Sequence, residues 1–293
     1  MVVKVCKKCL YPSNHPLGII FDEDGICSGC LQHKEKKIIN WQDRKKDLEN
    51  LLDRTKLGNN NHYDCVVPVT GGKDSLFTAH YVKNELGLKP LFVTYNSHYN
   101  SLTGLHNLQK LQTDLGCDLI SFNLNQSKAK EIARYTLKNF GNFHWLTLAG
   151  QSVFPVQIAV KFKIPLIIWG MHQGIEQVGM FSYMDRIQMN RHYRRDHDLF
   201  GLEPEDLLSK KMLSNKLKNE LIKLYYPNRI SLEKIGLKGI YLNNYLKWDN
   251  RKMQEKIIKT NEYGTANFNR ALFPFEDSNN LFYSEIHDLF KFI

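Results

Sequence analysis

The sequence predicts an α/β fold in which a doubly wound parallel sheet follows a small cysteine-bearing module and precedes a mainly helical C-terminal part. Three observations support this prediction. Short apolar runs alternate with helical stretches between residues 65 and 169, two CxxC pairs precede them, and the strand pattern gives way to helices beyond Asn190. Near-continuous apolar strands that alternate with helices are typical of parallel sheets covered on both faces.

The chain of 293 residues divides into four predicted segments. The cysteine module spans 1–35, a polar helical connector spans 36–62, the sheet domain spans 63–190, and a mainly helical region spans 191–293. We place a loop at 58–62, where glycine, asparagine and histidine interrupt the connector.

Composition and charge indicate an ordinary globular protein. Hydrophobic residues make up 42% of the chain and charged residues 24%, close to average usage. No apolar run approaches the eighteen or so residues of a membrane span, and the first residues lack the apolar core of a secretory signal, so we predict a cytoplasmic protein without membrane contacts. The net charge of +10 favours anionic partners or reflects a lysine-rich composition; because the basic residues are scattered, nucleic acid is not the expected partner.

Four cysteines predict a structural zinc site. Cys6 and Cys9 form one CxxC pair, and Cys27 and Cys30 form a second after seventeen residues, which is the spacing of a zinc ribbon. Four thiolates complete a tetrahedron around Zn²⁺ and leave no open position for a catalytic water. The segment between the pairs resembles a short strand followed by an Asp-Glu-Asp-Gly turn. Two disulfides are the alternative, and a reducing cytoplasm disfavours them.

The sheet is predicted from four apolar runs, at 65–69, 90–94, 118–122 and 164–169, with helices that begin at Ser75, Leu102, Ser127 and around Gly150. Ligands of such sheets bind at the carboxyl ends of the strands. The segments "TGGKDS" and "GMHQGIEQ" both follow predicted strand ends. We therefore expect the two segments to form one site.

The first of these segments, residues 70–75, predicts a phosphate-binding loop. Paired glycines permit a positive φ and let a ligand approach the backbone, and the helix that follows presents unpaired N–H groups to an anion. The segment has neither the Walker A pattern nor GxGxxG. It resembles the pyrophosphate loop of the ATP pyrophosphatase (PP-loop) superfamily, whose fold is adenine nucleotide alpha hydrolase-like, with Thr70 in place of the commoner serine.

That resemblance implies cleavage of ATP between the α- and β-phosphates, with a substrate oxygen attacking the α-phosphate to form an adenylate. The residues expected to bind ATP are Val69, Thr70, Gly71, Gly72, Lys73, Asp74, Ser75, Tyr95 and Gly170. Those expected to take part in the chemistry are Lys73, Asp74, His172 and Glu176. Superfamily members carry an acidic residue after a later strand, so Asp74 and Glu176 are the expected ligands of Mg²⁺, which prefers oxygen. Glu176 as a solvated loop residue and His172 as a loop cap remain the alternatives.

A finer resemblance joins the cysteine module to this loop. The segments that carry it are "CKKCLYPSNHPLGIIFDEDGICSGC", "VTGGKDS", "HNLQKLQTDLGCDLISF", "PLIIWG" and "YLNNYLKWD". Together they look like the N-acetyl sugar amidotransferases of bacterial surface-glycan pathways, which are linked to lipopolysaccharide and to pseudaminic or legionaminic acid. The resemblance implies that ATP adenylates the amide oxygen of an activated N-acetyl sugar, that ammonia adds, and that AMP leaves an acetamidino group.

Ammonia is expected from another chain. Residue 2 is valine, where an N-terminal glutaminase would have its cysteine. The resemblance implies a glutaminase subunit and a barrel partner like those of histidine biosynthesis. Family members generally continue past the helix that "YSEIHDLFKFI" begins, so a truncated or naturally short chain is expected here.

Two other functions stay open. A tRNA-thiolating enzyme also combines zinc modules with this loop, but it needs a catalytic cysteine pair, whereas Cys65 and Cys117 are single and lie in apolar surroundings; we expect both to be core residues. A non-catalytic ATP-binding scaffold is the second alternative, which the intact Asp74 and Ser75 disfavour.

Overall fold

The computed structural model describes residues 3–14, 18–57, 62–96, 100–176, 178–209 and 217–265. The predicted helix at "YSEIHDLFKFI" and most of the predicted loop at 58–62 lie outside these residues. No helix in the described part of the chain combines the length and the apolar character needed to span a bilayer.

Five parallel strands form one sheet in the order β3-β2-β1-β4-β5. Their bounds are β1 Cys65–Pro68, β2 Pro90–Asn96, β3 Leu119–Asn123, β4 Leu166–Trp169 and β5 Lys238–Tyr241. In register, Val66 of the central strand lies opposite Leu91 on one side and Ile167 on the other. The four strands predicted from sequence are confirmed to within two residues at each end, and the parallel α/β sheet with them.

The fifth strand was not predicted. Residues 238–241 pair with β4, from Leu166 opposite Lys238 to Trp169 opposite Tyr241, in a region where the sequence indicates helices. This strand is only four residues long and contains Gly239, and glycine weakens a strand pattern. Its pairing with β4 supplies the stability that its own residues lack.

Helices connect the strands and cover both faces. Their bounds are α1 Ser28–Glu35, α2 Trp41–Leu57, α3 Lys73–His80, α4 Leu102–Leu115, α5 Gln126–Phe140, α6 Trp145–Phe162, α7 Gln173–Glu176, α8 Arg191–Tyr193, α9 Pro204–Ser209, α10 Lys218–Ile222, α11 Arg229–Lys234 and α12 Asn250–Asn261. Two π-helical turns, Tyr81–Glu85 and Arg194–Asp198, extend α3 and α8.

Apolar side chains on both faces of the strands hold these layers together. On one face Val67 and Ile168 pack with Leu76 of α3, and the same cluster contains residues of α4 and α12. On the other face Val66 and Ile167 pack with residues of α6. All four strand side chains are fully buried, which is why their sequences are continuously apolar instead of alternating.

The strand order places a crevice beside β1. Strands β2 and β3 lie on one side of β1, and strands β4 and β5, which follow later in the chain, lie on the other side. Loops at the carboxyl ends of β1 and β4 therefore leave the sheet in opposite directions, and such reversal points are where doubly wound sheets bind ligands.

The cysteine module packs against the chain that follows α7. Short antiparallel bridges join Val5 to Pro12 and Phe21 to Cys27. The predicted turn is present, since the Asp22 side chain accepts a hydrogen bond from the backbone N–H of Ile26 at 2.7 Å. Val178 belongs to the same buried cluster as Cys6 and Cys27. The hydroxyl of Ser28 donates to the carbonyl of Val178 at 2.7 Å.

The connector is anchored to the sheet domain by buried polar contacts. Arg44 of α2 is 5% exposed and donates to the carbonyl of Tyr183 at 2.9 Å and to that of Asn244 at 3.2 Å. Next to the connector, the carboxylate of Glu35, the last residue of the cysteine module, accepts from the hydroxyl of Ser182 at 2.7 Å and from the backbone N–H of Tyr183 at 3.0 Å. The connector therefore joins the segments after β4 and after β5.

Candidate functional site

The loop between β1 and α3 is organised by its own hydroxyl groups. The Ser75 hydroxyl accepts from the backbone N–H of Thr70 at 3.1 Å and donates to the carbonyl of Gly72 at 2.8 Å. The Thr70 hydroxyl accepts from the N–H of Gly72 at 3.3 Å. The Thr70 hydroxyl therefore accepts a hydrogen bond that a serine hydroxyl at this position could also accept. These hydrogen bonds within the loop give it a defined shape.

Gly71 allows the loop to pass close to α4. Its φ is +80°, a conformation that disfavours side chains. A Cβ at this position would lie 2.1 Å from the carbonyl oxygen of Gly104, in the first turn of α4. Only glycine fits here, so the loop is pressed against a neighbouring helix.

Asp74 lies in the first turn of α3, at the edge of the crevice. Gly72 caps this helix without a side-chain hydrogen bond, which leaves the helix N-terminus suited to an anion. One Asp74 oxygen accepts from the amide of Gln254 on α12, and the other lies 3.8 Å from the ammonium of Lys73. The Asp74 side chain remains 32% exposed and can still meet a ligand.

A cavity of about 240 Å³ opens beside this loop. Its walls come from the ends of β1, β2 and β4 and from α3 and α6. The residues that line it are Pro68, Val69, Thr70, Asp74, Ser75, Thr78, Val93, Tyr95, Gln151, Pro155, Trp169, Gly170, Met171 and Gln173. We call it the loop cavity. It brings together six of the nine predicted ATP-binding residues.

Tyr95 and Gly170 also line this cavity. Tyr95, in the carboxyl-terminal half of β2, is 5% exposed, and burial raises the pKa of its phenol. Gly170 follows β4, where a Cβ would lie 2.5 Å from the hydroxyl of Thr78. A glycine at 170 is therefore required by the close approach of α3.

Glu176 lies outside the loop cavity, in a buried cluster of polar side chains. Its carboxylate is 3% exposed and pairs with the ammonium of Lys36 at 2.5 Å. The hydroxyl of Tyr183 donates to its other oxygen, as does the amide of Asn243 at 3.1 Å. Glu176 lines neither the loop cavity nor the cavity that His172 lines. Its role as a magnesium ligand stays a prediction, and it would require the ion to displace Lys36.

His172 lines a second cavity of about 190 Å³. It is 4% exposed, and burial, assisted by the neighbouring His197, lowers the pKa of its imidazole to about 4. Its Nδ1 accepts from the backbone N–H of Gly174 at 3.1 Å. The imidazole is therefore neutral, with its hydrogen on Nε2. Its predicted part in the chemistry stays a prediction.

The second cavity adjoins the loop cavity. Its walls are rich in aromatic and polar side chains, and they consist of Leu148, Gln151, Ser152, Trp169, Met171, His172, Gln173, Met189, Asn190, Tyr193, Arg194, His197, Asp198, Tyr226 and Tyr241. Four of these residues, Gln151, Trp169, Met171 and Gln173, also line the loop cavity. The two cavities therefore share a wall.

Sequence reasoning missed most of this second cavity. His197 and Asp198 belong to a π-helical turn, a conformation that often occurs at functional sites, yet the polar segment around them has no strand or helix periodicity that marks it. Tyr241 ends the unpredicted strand β5. Adjacent histidine and aspartate in "RRDHD" is the one sequence signal that could have drawn attention to this turn.

The four predicted zinc ligands lie together. The sulfur atoms of Cys6, Cys9, Cys27 and Cys30 are all within 4.8 Å of one another. A tetrahedral ion with Zn–S distances of about 2.3 Å would place its sulfurs about 3.8 Å apart. A single ion therefore fits with small movements, while a cluster of several iron atoms would separate the sulfurs further.

The negative charge that the four cysteine sulfurs would carry as thiolates also favours binding of a cation in this cluster. Burial favours the neutral thiol of Cys6, but backbone N–H groups of Cys27, Cys9 and Lys8 point at its sulfur and lower its pKa to about 6. Burial and the neighbouring sulfurs of Cys9 and Cys27 raise the pKa of Cys30 to about 12. Four thiolates cannot coexist here without a positive charge between them, which a divalent metal supplies.

The remaining cysteines are core residues. Cys65 is fully buried in β1 and Cys117 is 8% exposed. Burial raises the pKa of both thiols, so neither is a ready nucleophile.

Comparison with known proteins gives limited similarity. No family model matches the sequence. An uncharacterized protein of Methanocaldococcus jannaschii is 27% identical over 118 residues. The match covers 40% of this chain and 42% of that protein, so it spans less than half of either.

Solved structures resemble the chain weakly. A tRNA thiolase from Methanococcus maripaludis, with a 4Fe–4S cluster, has a TM-score of 0.34 at 15% identity, over 99% of this chain and 81% of its own. An ammonia-dependent NAD synthetase from Campylobacter jejuni has a TM-score of 0.36 at 13% identity, over 67% and 95% of the two chains. An NMN synthetase from Francisella tularensis has a TM-score of 0.37 at 13% identity, and the match covers 87% of this chain and 97% of that one. At these values the similarity supports no conclusion about fold or activity.

Proposed function

We propose that the protein is an ATP-dependent enzyme that transfers AMP to an acceptor and releases pyrophosphate. One observation carries the proposal: a hydroxyl-braced glycine loop at the N-terminus of α3 opens into a cavity at the carboxyl ends of β1, β2 and β4. Such a loop offers backbone and hydroxyl donors to a polyphosphate. Its sequence resembles the pyrophosphate-loop pattern and does not match the Walker A pattern GxxxxGK[ST], which favours release of pyrophosphate over release of phosphate.

Each residue of the loop has a role in this proposal. Thr70 and Ser75 hold the loop open, Gly71 and Gly72 let the phosphates approach, and Lys73 balances their negative charge. Asp74 fits a magnesium ligand because its carboxylate is partly exposed in the cavity, and a bound Mg²⁺ would offset charge on the departing pyrophosphate. Tyr95 and Gly170 would border the nucleotide.

We further propose that the acceptor is the N-acetyl group of an activated sugar, which ammonia converts to an acetamidino group. The second cavity supports this choice. Its charged side chains are Arg194 and Asp198, and both already have partners, Glu203 and His197 respectively. Aromatic and uncharged polar groups form most of the rest, which suits the neutral, hydroxyl-rich sugar ring of such an acceptor. A glutaminase subunit with its barrel partner remains the proposed ammonia source, and a cytoplasmic location belongs to the same proposal.

Burial of Cys65 and Cys117 disfavours the thiolase alternative, because neither could carry a persulfide to a substrate. Zinc is the ion that we propose for the four-cysteine cluster, on the chemistry of its donors.

The test is to identify the spent nucleotide. Protein, ATP, Mg²⁺, ammonium and a panel of N-acetyl nucleotide sugars should yield AMP and pyrophosphate by chromatography, and an acceptor of altered mass by mass spectrometry. Asp74→Asn should reduce AMP formation at least 100-fold. Asp114→Asn, which changes an exposed carboxylate paired with Lys110 on α4, is the matched control and should leave the rate unchanged.

Two results would count against the proposal. ADP as the sole product would exclude transfer of AMP. Normal pyrophosphate release by Asp74→Asn would show that the loop does not handle the phosphates as proposed.

A further inference from the structure

A buried nitrogen in the second cavity has no partner. His197 is 7% exposed, and among the described residues nothing forms a hydrogen bond with its Nε2. Leaving a buried polar atom unsatisfied costs free energy. His197 also lines the cavity, so this unsatisfied nitrogen belongs to a side chain in the cavity wall, where a polar group that enters could pair with it.

The other ring nitrogen of His197 is held by the next residue. Its Nδ1 lies 2.7 Å from a carboxylate oxygen of Asp198. An ionised carboxylate can only accept, so Nδ1 carries the hydrogen, and the neutral form of this imidazole presents a lone pair at Nε2. Asp198 would also stabilise the positive charge that appears when Nε2 takes a proton.

His172 completes this wall of the cavity with the opposite polarity. Its ring centre lies 4.8 Å from that of His197, and its hydrogen is on Nε2 because Nδ1 accepts from Gly174. One imidazole thus offers an acceptor and the other a donor. Together they can hold a group while its proton is removed.

The pair of His197 and Asp198, which we call the dyad, lines a cavity that shares a wall with the loop cavity. Gln151, Trp169, Met171 and Gln173 line both cavities. An acceptor in the second cavity could therefore present its reacting group to a nucleotide in the loop cavity.

We propose that His197, oriented by Asp198, is the general base that removes a proton from the ammonia nitrogen as it adds to the adenylated acceptor. The inference rests on the proposed function and adds to it a second active-site region, built from residues 194–198. Asp198 is a positioning residue in this scheme, and His197 is the catalytic one.

The ammonia nitrogen forms a bond to the amide carbon of the adenylated N-acetyl group and becomes positively charged. His197 Nε2 takes one proton from that nitrogen. The bond between the carbon and the AMP oxygen then breaks, with its electron pair leaving on AMP, and the amidine retains both nitrogens. A positioned base typically contributes a factor of about 10² to 10⁴ to such a step.

The experiment separates the two half-reactions. Acceptor-dependent exchange of labelled pyrophosphate into ATP reports adenylation, and mass spectrometry of the acetamidino product reports addition of ammonia. His197→Gln should keep exchange within about three-fold of the unsubstituted protein, while product formation from ammonium falls about 100-fold. His192→Gln is the matched control, because His192 lies in the same segment and its side chain is 75% exposed; both reactions should be unchanged.

A change of nucleophile adds a readout that a structural role would not move. Hydroxylamine is largely neutral near pH 7 and gives a more acidic adduct, so it needs less help from a base. The defect of His197→Gln should therefore be at least ten-fold smaller with hydroxylamine than with ammonium.

Three outcomes overturn the inference. Product formation by His197→Gln within three-fold of normal excludes the base. If that variant fails to fold, Asp198→Asn decides, because normal product formation by it excludes the dyad. Absence of any acceptor-dependent exchange in the unsubstituted protein overturns the proposed function, and this inference with it, whereas the first two outcomes leave the proposed function standing.

Discussion

At the scale of single residues, the shape of the phosphate loop depends on Gly71. Its neighbours Thr70 and Ser75 can be identified from the motif, but the reason for glycine at 71 is a contact with α4, more than thirty residues along the chain. Glycine at position 71 of the motif is therefore required by packing against α4 as well as by ligand binding.

We predict that Gly71→Ala disrupts both the loop and nucleotide binding. Alanine would have to adopt a φ of +80° and place its Cβ 2.1 Å from the Gly104 carbonyl oxygen, so the loop must move. Affinity for ATP with Mg²⁺, measured by calorimetry, should fall at least ten-fold, and the melting temperature should drop.

Gly87→Ala controls for the backbone strain alone. Gly87 also has a positive φ, +61°, but nothing lies within 4 Å of the position that a Cβ would take. The Gly87→Ala substitution should lower the free energy of unfolding by about 1–2 kcal/mol and leave ATP affinity intact. Equal losses of affinity in both variants would contradict the role assigned to the Gly104 contact.

At the scale of elements, the cysteine module is held by few apolar contacts. Its buried cluster contains Cys6, Ile19, Cys27 and Val178, and α1 has no buried residue. So small a core needs a metal to be stable. Through Val178 the module also supports the segment that follows α7.

We predict one zinc ion per chain and a module that depends on it. Elemental analysis of the purified protein should give a stoichiometry near one, and Cys9→Ser or a strong chelator should lower the melting temperature. Cys117→Ser, which changes a cysteine outside the cluster, should leave the zinc content unchanged. Metal-free protein with two disulfides, or iron in place of zinc, would contradict the assignment.

At the scale of the whole molecule, buried polar contacts join segments that are distant in sequence. The ammonium of Lys36 donates to Glu176 and, at 3.0 Å, to the carbonyl of Trp248. The amide of Asn243 and the hydroxyl of Tyr183 complete the surroundings of the Glu176 carboxylate. One ion pair thus connects the connector, α7 and the segment after β5.

We predict that Glu176→Gln destabilises the fold by about 3–5 kcal/mol, because it leaves the Lys36 ammonium buried without its counter-charge. Chemical denaturation should measure this loss. Lys36→Met combined with Glu176→Gln removes both charges and should recover most of the stability.

The double variant also tests the magnesium prediction for Glu176. If Glu176 acts only in the ion pair, the refolded double variant should release pyrophosphate at a near-normal rate at saturating Mg²⁺. A stable double variant with adenylation reduced 100-fold would restore Glu176 as a magnesium ligand.

The local features of this protein could be predicted from its amino-acid sequence. Four strands, the turn at Asp22, the proximity of four cysteines and the loop at residues 70–75 all follow from patterns within a few dozen residues, because hydrophobic periodicity, turn chemistry and ligand spacing are local properties. Six predicted ATP-binding residues line one cavity because parallel strands bring their carboxyl ends to one edge.

The contacts between distant segments became visible in the folded structure. It added β5 to the sheet through pairing with β4, buried Glu176 against Lys36, placed Gln254 on Asp74 and put His197 beside His172. Each of these depends on how separate elements pack, and the free energy that fixes them comes from burial and pairing of groups that are from 25 to 180 residues apart in the chain. No local pattern contains that information, which is why the second cavity emerged only from the folded molecule.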